Sequence, residues 1–201
     1  MAEYYMFNKP RGCISARRDQ RHKTVMDYFP EEIRSTHFPI GRLDKDTEGL
    51  LIITSDGKLA HKLLSPEHHI PKKYFFYAQG EINEEKLAEL CSGVSIYRNR
   101  TDKTAPAKIE IGECLSLRDI KDYLDLPDTT LATRRGDLPV FSGFITITEG
   151  KNHQVKRMIR YAGARVVYLK RVSMGRLPLD PSLEKGESRP LTSAELSILA
   201  E

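Results

Sequence analysis

Apolar and polar positions along the 201-residue chain fall into short blocks of two different periods. Such mixing predicts strands and helices together. Tyr4 to Asn8 reads as a short strand, ended by Lys9-Pro10-Arg11-Gly12. Residues 17–23 are polar and basic and read as a loop. Leu50 to Thr54 is an apolar run of strand character, followed by turn chemistry at Ser55-Asp56-Gly57 that includes a helix N-cap candidate. Leu59, Leu63 and Leu64 then recur at helical spacing. Tyr74 to Gln79 is aromatic-rich, which favours a strand. Asn83 to Cys91 predicts an acidic helix with Leu87 and Leu90 inward, and Lys108 to Glu113 alternates as a half-buried strand does. Residues 114–140 form a less regular insert, with Pro127 and Pro139 near its end and a short helix predicted around Leu117 to Leu124. Phe144 to Thr148 alternates again.

The best-defined helix follows. Val155, Met158, Ile159 and Ala162 recur at i, i+3, i+4 and i+7, one apolar face. His153, Lys156, Arg157 and Arg160 repeat the spacing as a separate basic face, with Asn152 as the cap and Gly163 as the stop. Val166 to Val172 reads as a strand, and Thr192-Ser193-Ala194-Glu195 as a capping box opening a last helix. Without a repeating βαβ period, the pattern predicts an α+β fold with largely antiparallel sheet. A weak subdomain seam is expected between residues 55 and 70, where Ser65-Pro66 and Pro71 break the regularity.

Composition narrows the classes. Hydrophobic residues make up 39% and charged residues 30%, which suits a globular chain able to bury its own core. No apolar run approaches the roughly 18 residues of a membrane span. Met1 to Tyr5 lacks the charged-then-apolar design of a signal peptide. Three widely spaced cysteines, Cys13, Cys91 and Cys114, form no metal-ligand pattern and point to a reduced, cytoplasmic compartment. The net charge of +4 is unevenly spread. Gly150 to Leu179 holds eight Lys or Arg and no Asp or Glu, leaving 24 basic and 28 acidic residues elsewhere. That concentration is the pattern of an anion-binding face, or of a solvated basic surface.

The densest chemistry lies in Gly41-Arg42-Leu43-Asp44-Lys45-Asp46-Thr47-Glu48-Gly49-Leu50-Leu51. Asp44, Asp46, Glu48 and Gly49 match the start of a calcium loop, but its twelfth position needs a bidentate Glu and Ser55 stands there. A nucleophilic carboxylate is a second reading, since an aspartate attacking carbon must be ionised and held near its target, and Arg42 and Lys45 supply cations beside Asp44. Surface aspartates beside cations are also common for no catalytic reason. Nucleic-acid binding is a third reading. Basic residues cluster at Lys9 and Arg11, at Arg17, Arg18 and on to Lys23, at Lys72 and Lys73, and through 151–171, and aromatics accompany two of these clusters. Cations contact phosphates and aromatics stack on unpaired bases, although roughly half of a strand such as Tyr74 to Tyr77 must face a core.

Taken together, the motifs resemble the bacterial ribosomal RNA pseudouridine synthases of the RsuA-like family. The 41–51 segment resembles the family signature and Asn8-Lys9-Pro10-Arg11-Gly12 its opening motif. Lys72-Lys73-Tyr74 resembles its tyrosine motif. Glu149 through Met158 resembles its closing motif, and Gly186 through Thr192 its C-terminal tail. The likeness runs from about residue 4 to the end.

The resemblance implies a pseudouridine synthase catalytic core over residues 1–201, a mixed and mostly antiparallel sheet in two halves flanked by helices, with an active cleft between them. Many members of the family open with an S4-type RNA-binding domain, and as a departure from that pattern none is expected here. It implies that Asp44 attacks the target uridine, that Tyr74 packs on the flipped base and can move a proton, and that Lys156 pairs with the aspartate. Arg42 would fill the gap left by the flipped base. Lys9, Arg11, Arg17, Arg18, Lys72, Lys73, His153, Gln154, Arg157 and Arg160 are the expected RNA contacts, while Asp46 and Glu48 shape and solvate the loop. No metal or organic cofactor is needed. The expected partner of this monomer is ribosomal RNA, with no membrane. The competing reading is a non-catalytic RNA-binding or ribosome-assembly factor on the same fold.

Overall fold

The computed structural model describes residues 3–97, 102–124 and 134–200. In chain order the elements are β1 (Tyr4–Lys9), α1 (Glu31–Thr36), β2 (Phe38–Pro39), β3 (Glu48–Thr54), α2 (Gly57–Leu64), β4 (Lys72–Gly80) and α3 (Glu84–Leu90). β5 (Lys108–Ser116), β6 (Pro139–Ile147), α4 (Gln154–Tyr161), β7 (Ala164–Met174), β8 (Leu177–Pro178), β9 (Ser188–Pro190) and α5 (Ser193–Ala200) follow. The fold is α+β with mixed, mostly antiparallel strand pairing, as the sequence pattern predicts. Two compact units divide the chain: the described residues up to Lys72 with those from Lys170 on, and Lys73–Leu169.

The first unit is built on β3, whose seven residues are all buried. One edge pairs antiparallel with β1, from Tyr4↔Thr54 to Lys9↔Gly49. Its other edge takes β7 in parallel at Glu48↔Lys170 and Gly49↔Arg171, and β2 antiparallel at Ile53 and Thr54. β9 pairs with β1. Leu50 and Ile52 pack with Ala60 and Leu63 of α2 and Leu199 of α5. Leu51 and Ile53 lie opposite Phe7 and Tyr5, which meet Phe29 at ring separations of 5.3 and 5.9 Å. Coverage on both faces explains why β3 reads as one continuous apolar run rather than an alternation. Asp56 caps α2 by accepting from the Lys58 and Leu59 amides.

In the second unit the strand order is β5-β6-β4-β7. Tyr77, Leu117, Ile120, Val140 and Tyr168 form a buried cluster there. The apolar face of α4 is as expected, with Val155, Met158, Ile159 and Ala162 all buried. Gly163 ends the helix at φ +107, where a Cβ would meet the Glu81 carbonyl at 2.5 Å.

Three expectations need correction. β5 runs on to Ser116 and is mostly exposed, with Ile111 at 42%. It is the last strand in the order, so its Ile109/Ile111 alternation does not bring Ile111 under cover. The helix expected at Leu117 to Leu124 shrinks to a single 3-10 turn at Lys121–Tyr123. The Asp119 carboxylate accepts from the Ser116 amide and hydroxyl, a local bond that competes with helix formation. Pro127 lies outside the described residues. Finally, α4 starts at His153 in the left-handed region (φ +50), with no side-chain cap, rather than at Asn152.

The expected capping box is formed. Thr192 and Glu195 exchange bonds, the Thr192 amide to Glu195 at 2.8 Å and the Glu195 amide to Thr192 Oγ1 at 3.2 Å. Arg189 of β9 adds a two-pronged bond to the Glu195 carboxylate (2.7 and 2.9 Å) and a 2.7 Å bond to Asp180. The Arg189 bond holds Glu195 down to about 2, below its ordinary 4.5. Bonds from Ser182, and then Arg189, hold Asp180 at about 2. Depressed carboxylate pKa values give stability that is present above the unfolded value and lost as pH falls through the folded one. The melting temperature should therefore drop between pH 4.5 and about 2, and Arg189→Met should flatten that drop; an unchanged slope in a thermal pH series would contradict it.

Candidate active site

Asp44 opens a β-turn in the first unit. The Thr47 amide donates to the Asp44 carbonyl at 3.0 Å, with Lys45 and Asp46 at the corner. Aspartate suits the first position of such a turn. The turn runs directly into β3, and Gly49, at φ +101, makes that entry possible. A Cβ there would lie 2.2 Å from the Arg171 carbonyl, so only glycine allows β3 and β7 to approach this closely. Asp44 is half-buried, Arg42 exposed and Leu43 buried.

What holds the turn is the end of β1. Lys9 is fully buried, and its ammonium donates to the carbonyls of Thr47 (2.8 Å), Asp44 (3.0 Å) and Pro10 (3.0 Å), with Lys45 at 3.5 Å. An ammonium has three protons, so the three short bonds satisfy it. Burial pushes its pKa below the ordinary value, while the nearby Cys13, Asp46, Asp44 and Glu48 work in the other direction. The Gly12 amide donates to the Lys45 carbonyl at 2.8 Å. Ser15 Oγ brackets Leu43, donating to its carbonyl and accepting from its amide, both at 2.9 Å. Residues 9–15 thus clamp residues 43–47 from the outside.

Two further side chains brace the base of β3. Glu48 is buried and ion-paired with Lys185 at 3.0 Å. It therefore does not solvate the loop, contrary to expectation, because it is the first residue of the strand. Arg171, only 2% exposed, donates from Nε to the Leu50 carbonyl at 2.7 Å.

In the second unit, Tyr74 is buried on β4, and Lys73 is half-buried with its ammonium 4.4 Å from the Phe144 ring centroid. On α4, Lys156 and Arg157 are half-buried, and His153 and Arg160 are exposed. The Arg157 guanidinium lies 4.7 Å from the centre of the Tyr97 ring. Elsewhere Arg11 is half-buried. Arg17 and Arg18 are exposed and line a surface cleft of about 590 Å³ with Asp19, Asp27, Glu31 and Arg34.

Three expected RNA contacts are turned inward. Lys9 has no face toward solvent. Lys72 is buried and donates to the Ile70 carbonyl at 2.9 Å. Burial, with Arg171 adding to it, brings its pKa down to about 8. Gln154 is 3% exposed, with both ends of its amide used: Oε1 accepts from the Lys151 amide and Nε2 donates to Glu149. These residues shape the backbone from which other groups project. Ser15 and Arg171 were missed by sequence reasoning. Arg171 did carry a signal, since with Lys170 it puts charge inside the otherwise apolar run Val166 to Val172, whereas an unremarkable serine carried none.

Comparison with known proteins places this geometry in context. The family model described as RNA pseudouridylate synthase matches residues 3–161. A Bacillus subtilis protein named uncharacterized RNA pseudouridine synthase YtzG is 47% identical over 199 residues, which cover 98% of this chain and 73% of that protein. The ribosomal small subunit pseudouridine synthase A of Haemophilus influenzae is 35% identical over 197 residues, covering 98% of this chain and 73% of that protein. A solved structure titled as a pseudouridylate synthase superposes with a TM-score of 0.80 at 35% identity, covering 99% of this chain and 74% of that one.

Removing the Lys9 ammonium takes a charged donor from three inward-facing carbonyls, of which Asp44 keeps the Thr47 amide. Lys9→Met should cost about 3 kcal/mol in urea unfolding and lower turnover. The affinity of the folded variant for RNA should stay within about twofold of wild type, because the Lys9 side chain is buried; a selective loss of RNA affinity with stability unchanged would contradict the clamp.

Proposed function

The chain belongs to the RNA pseudouridylate synthase family, and on that premise we propose that it isomerises a uridine of small-subunit ribosomal RNA to pseudouridine, with Asp44 as the catalytic carboxylate. The observation that carries the role of Asp44 is its turn. Fixing the backbone on both sides of one carboxylate, through Lys9, Gly12 and Ser15, is what a reaction needs when a single group must meet one carbon. The choice of RNA rests on the name of the Haemophilus influenzae relative.

The reaction is a rearrangement within one nucleotide. The bond from N1 of uracil to C1′ breaks, the base turns, C5 bonds to C1′, and the C5 proton is lost as N1 gains one. No atom enters or leaves, so neither water nor a second substrate takes part. The Asp44 carboxylate serves either as nucleophile at C1′ or as base in forming a glycal, and both routes regenerate it. The target must first leave its stack, which costs a few kcal/mol and is cheapest in unpaired RNA. Arg42 enters the gap left in the RNA, a role its exposure supports. Tyr74 supplies the ring for the flipped base and Lys156 the cation for the reacting carboxylate, the roles the resemblance implies. Arg11, Arg17, Arg18, Lys73, His153, Arg157 and Arg160 then contact the RNA backbone. The protein acts as a monomer in the cytoplasm.

A binding factor without activity would not need Asp44 as an acid group. With unmodified small-subunit ribosomal RNA as substrate and chemical labelling of pseudouridine as readout, Asp44→Asn should lower product formation by at least about a thousandfold. Its RNA affinity should change less than about threefold. Undiminished activity in Asp44→Asn would overturn the assignment.

A further inference from the structure

The second unit carries a second feature suited to RNA, on the side of α4 that holds Arg157. A pocket of about 380 Å³ is lined by Ser95, Ile96, Tyr97, Arg157, Arg160 and Tyr161. That volume is at the small end of the range for ligand sites and suits one nucleotide better than a larger body. Its chemistry is also that of a nucleotide. Tyr97 offers a ring held in place by its hydroxyl, which donates to the Asn152 carbonyl at 3.3 Å, and by the Arg157 guanidinium at 4.7 Å. Tyr161 is likewise fixed by a hydroxyl bond to Glu89. Among the described residues neither Arg157 nor Arg160 is ion-paired. Two unneutralised guanidinium groups beside two anchored aromatic rings favour a planar base with a phosphate attached.

We infer that this pocket binds an unpaired nucleotide of the substrate RNA next to the target, with the base on Tyr97 and the phosphate on Arg157 and Arg160. The inference rests on the proposed reading of Lys156. Arg157, Arg160 and Tyr161 lie at i, i+3 and i+4 on one face of α4, and Arg160 is also four residues from Lys156, so about 6 Å along the axis separates them. That is roughly the reach from one nucleotide to the next in an unstacked strand. Tyr97 would then read the single-stranded character of the target site, since a base held in a duplex cannot enter the pocket. The same chemistry is poorly matched to an acidic peptide, which has no flat π surface to offer the ring.

The test uses a single-stranded pentaribonucleotide of uridines carrying one 2-aminopurine, whose fluorescence falls on stacking. The wild type should quench it. Tyr97→Ala should weaken binding about tenfold and abolish most of the quenching, whereas Tyr97→Phe should stay within about twofold of wild type. Equal weakening in both variants would assign the effect to the hydroxyl bond with Asn152 and overturn the proposal, as would unchanged binding in Tyr97→Ala or no quenching by the wild type. Pseudouridine formation by the wild type is scored separately. Product without a ring effect refutes the pocket and leaves the enzyme reading intact; a ring effect without product refutes the enzyme reading and keeps the pocket as an RNA site.

Discussion

Taking the Lys9 ammonium out of water costs several kcal/mol, and the fold recovers that only where carbonyl oxygens converge on it. Three short bonds do so, and two come from the turn that bears Asp44. The dependence runs both ways. With the turn opened, the ammonium would be buried with only the Pro10 carbonyl for an acceptor; with the ammonium absent, the carbonyls of Asp44 and Thr47 would lose their short bonds to it, and Asp44 would keep only the Thr47 amide. Backbone around the proposed catalytic carboxylate is therefore tied to the stability of the first unit rather than left as a free loop. Gly49 and Arg171 extend the constraint by fixing where β3 begins.

The second unit uses a comparable device at the start of α4. Gln154 is buried and spends both ends of its amide on the Glu149–Lys151 segment, which sets the entry of the helix. The helix then buries Val155, Met158 and Ile159 and leaves Lys156, Arg157 and Arg160 on its other sides. In both units an inward polar residue of a motif orders the backbone that bears a residue proposed to carry the chemistry.

Much of this was legible in the sequence, for identifiable reasons. β3 was readable because a strand covered on both faces must be apolar throughout, and α4 because Met158 and Ile159 keep the helical period with Val155 and Ala162. The Thr192–Glu195 box depends on residues three apart and needed no tertiary information. Legibility ended where long-range partners decide the outcome. Lys9 meets Asp44 from 35 positions away, and a lysine in a basic motif reads the same whether it faces phosphate or interior carbonyls. Lys72 and Gln154, expected RNA contacts, face inward in the same way. β5 alternates as a half-buried strand would, but its place at the end of the strand order leaves Ile111 exposed. The left-handed start at His153 was not legible, because only a few per cent of non-glycine residues adopt that conformation.

Family membership, a backbone-locked aspartate and a basic helix face are the grounds for the proposed base isomerisation in ribosomal RNA. The most direct test is a transcript-wide pseudouridine map of total RNA from cells with and without this protein. The account predicts that one position in small-subunit ribosomal RNA loses its pseudouridine when the protein is removed and regains it with the wild type. An unchanged map, or a loss confined to transfer RNA, would contradict it.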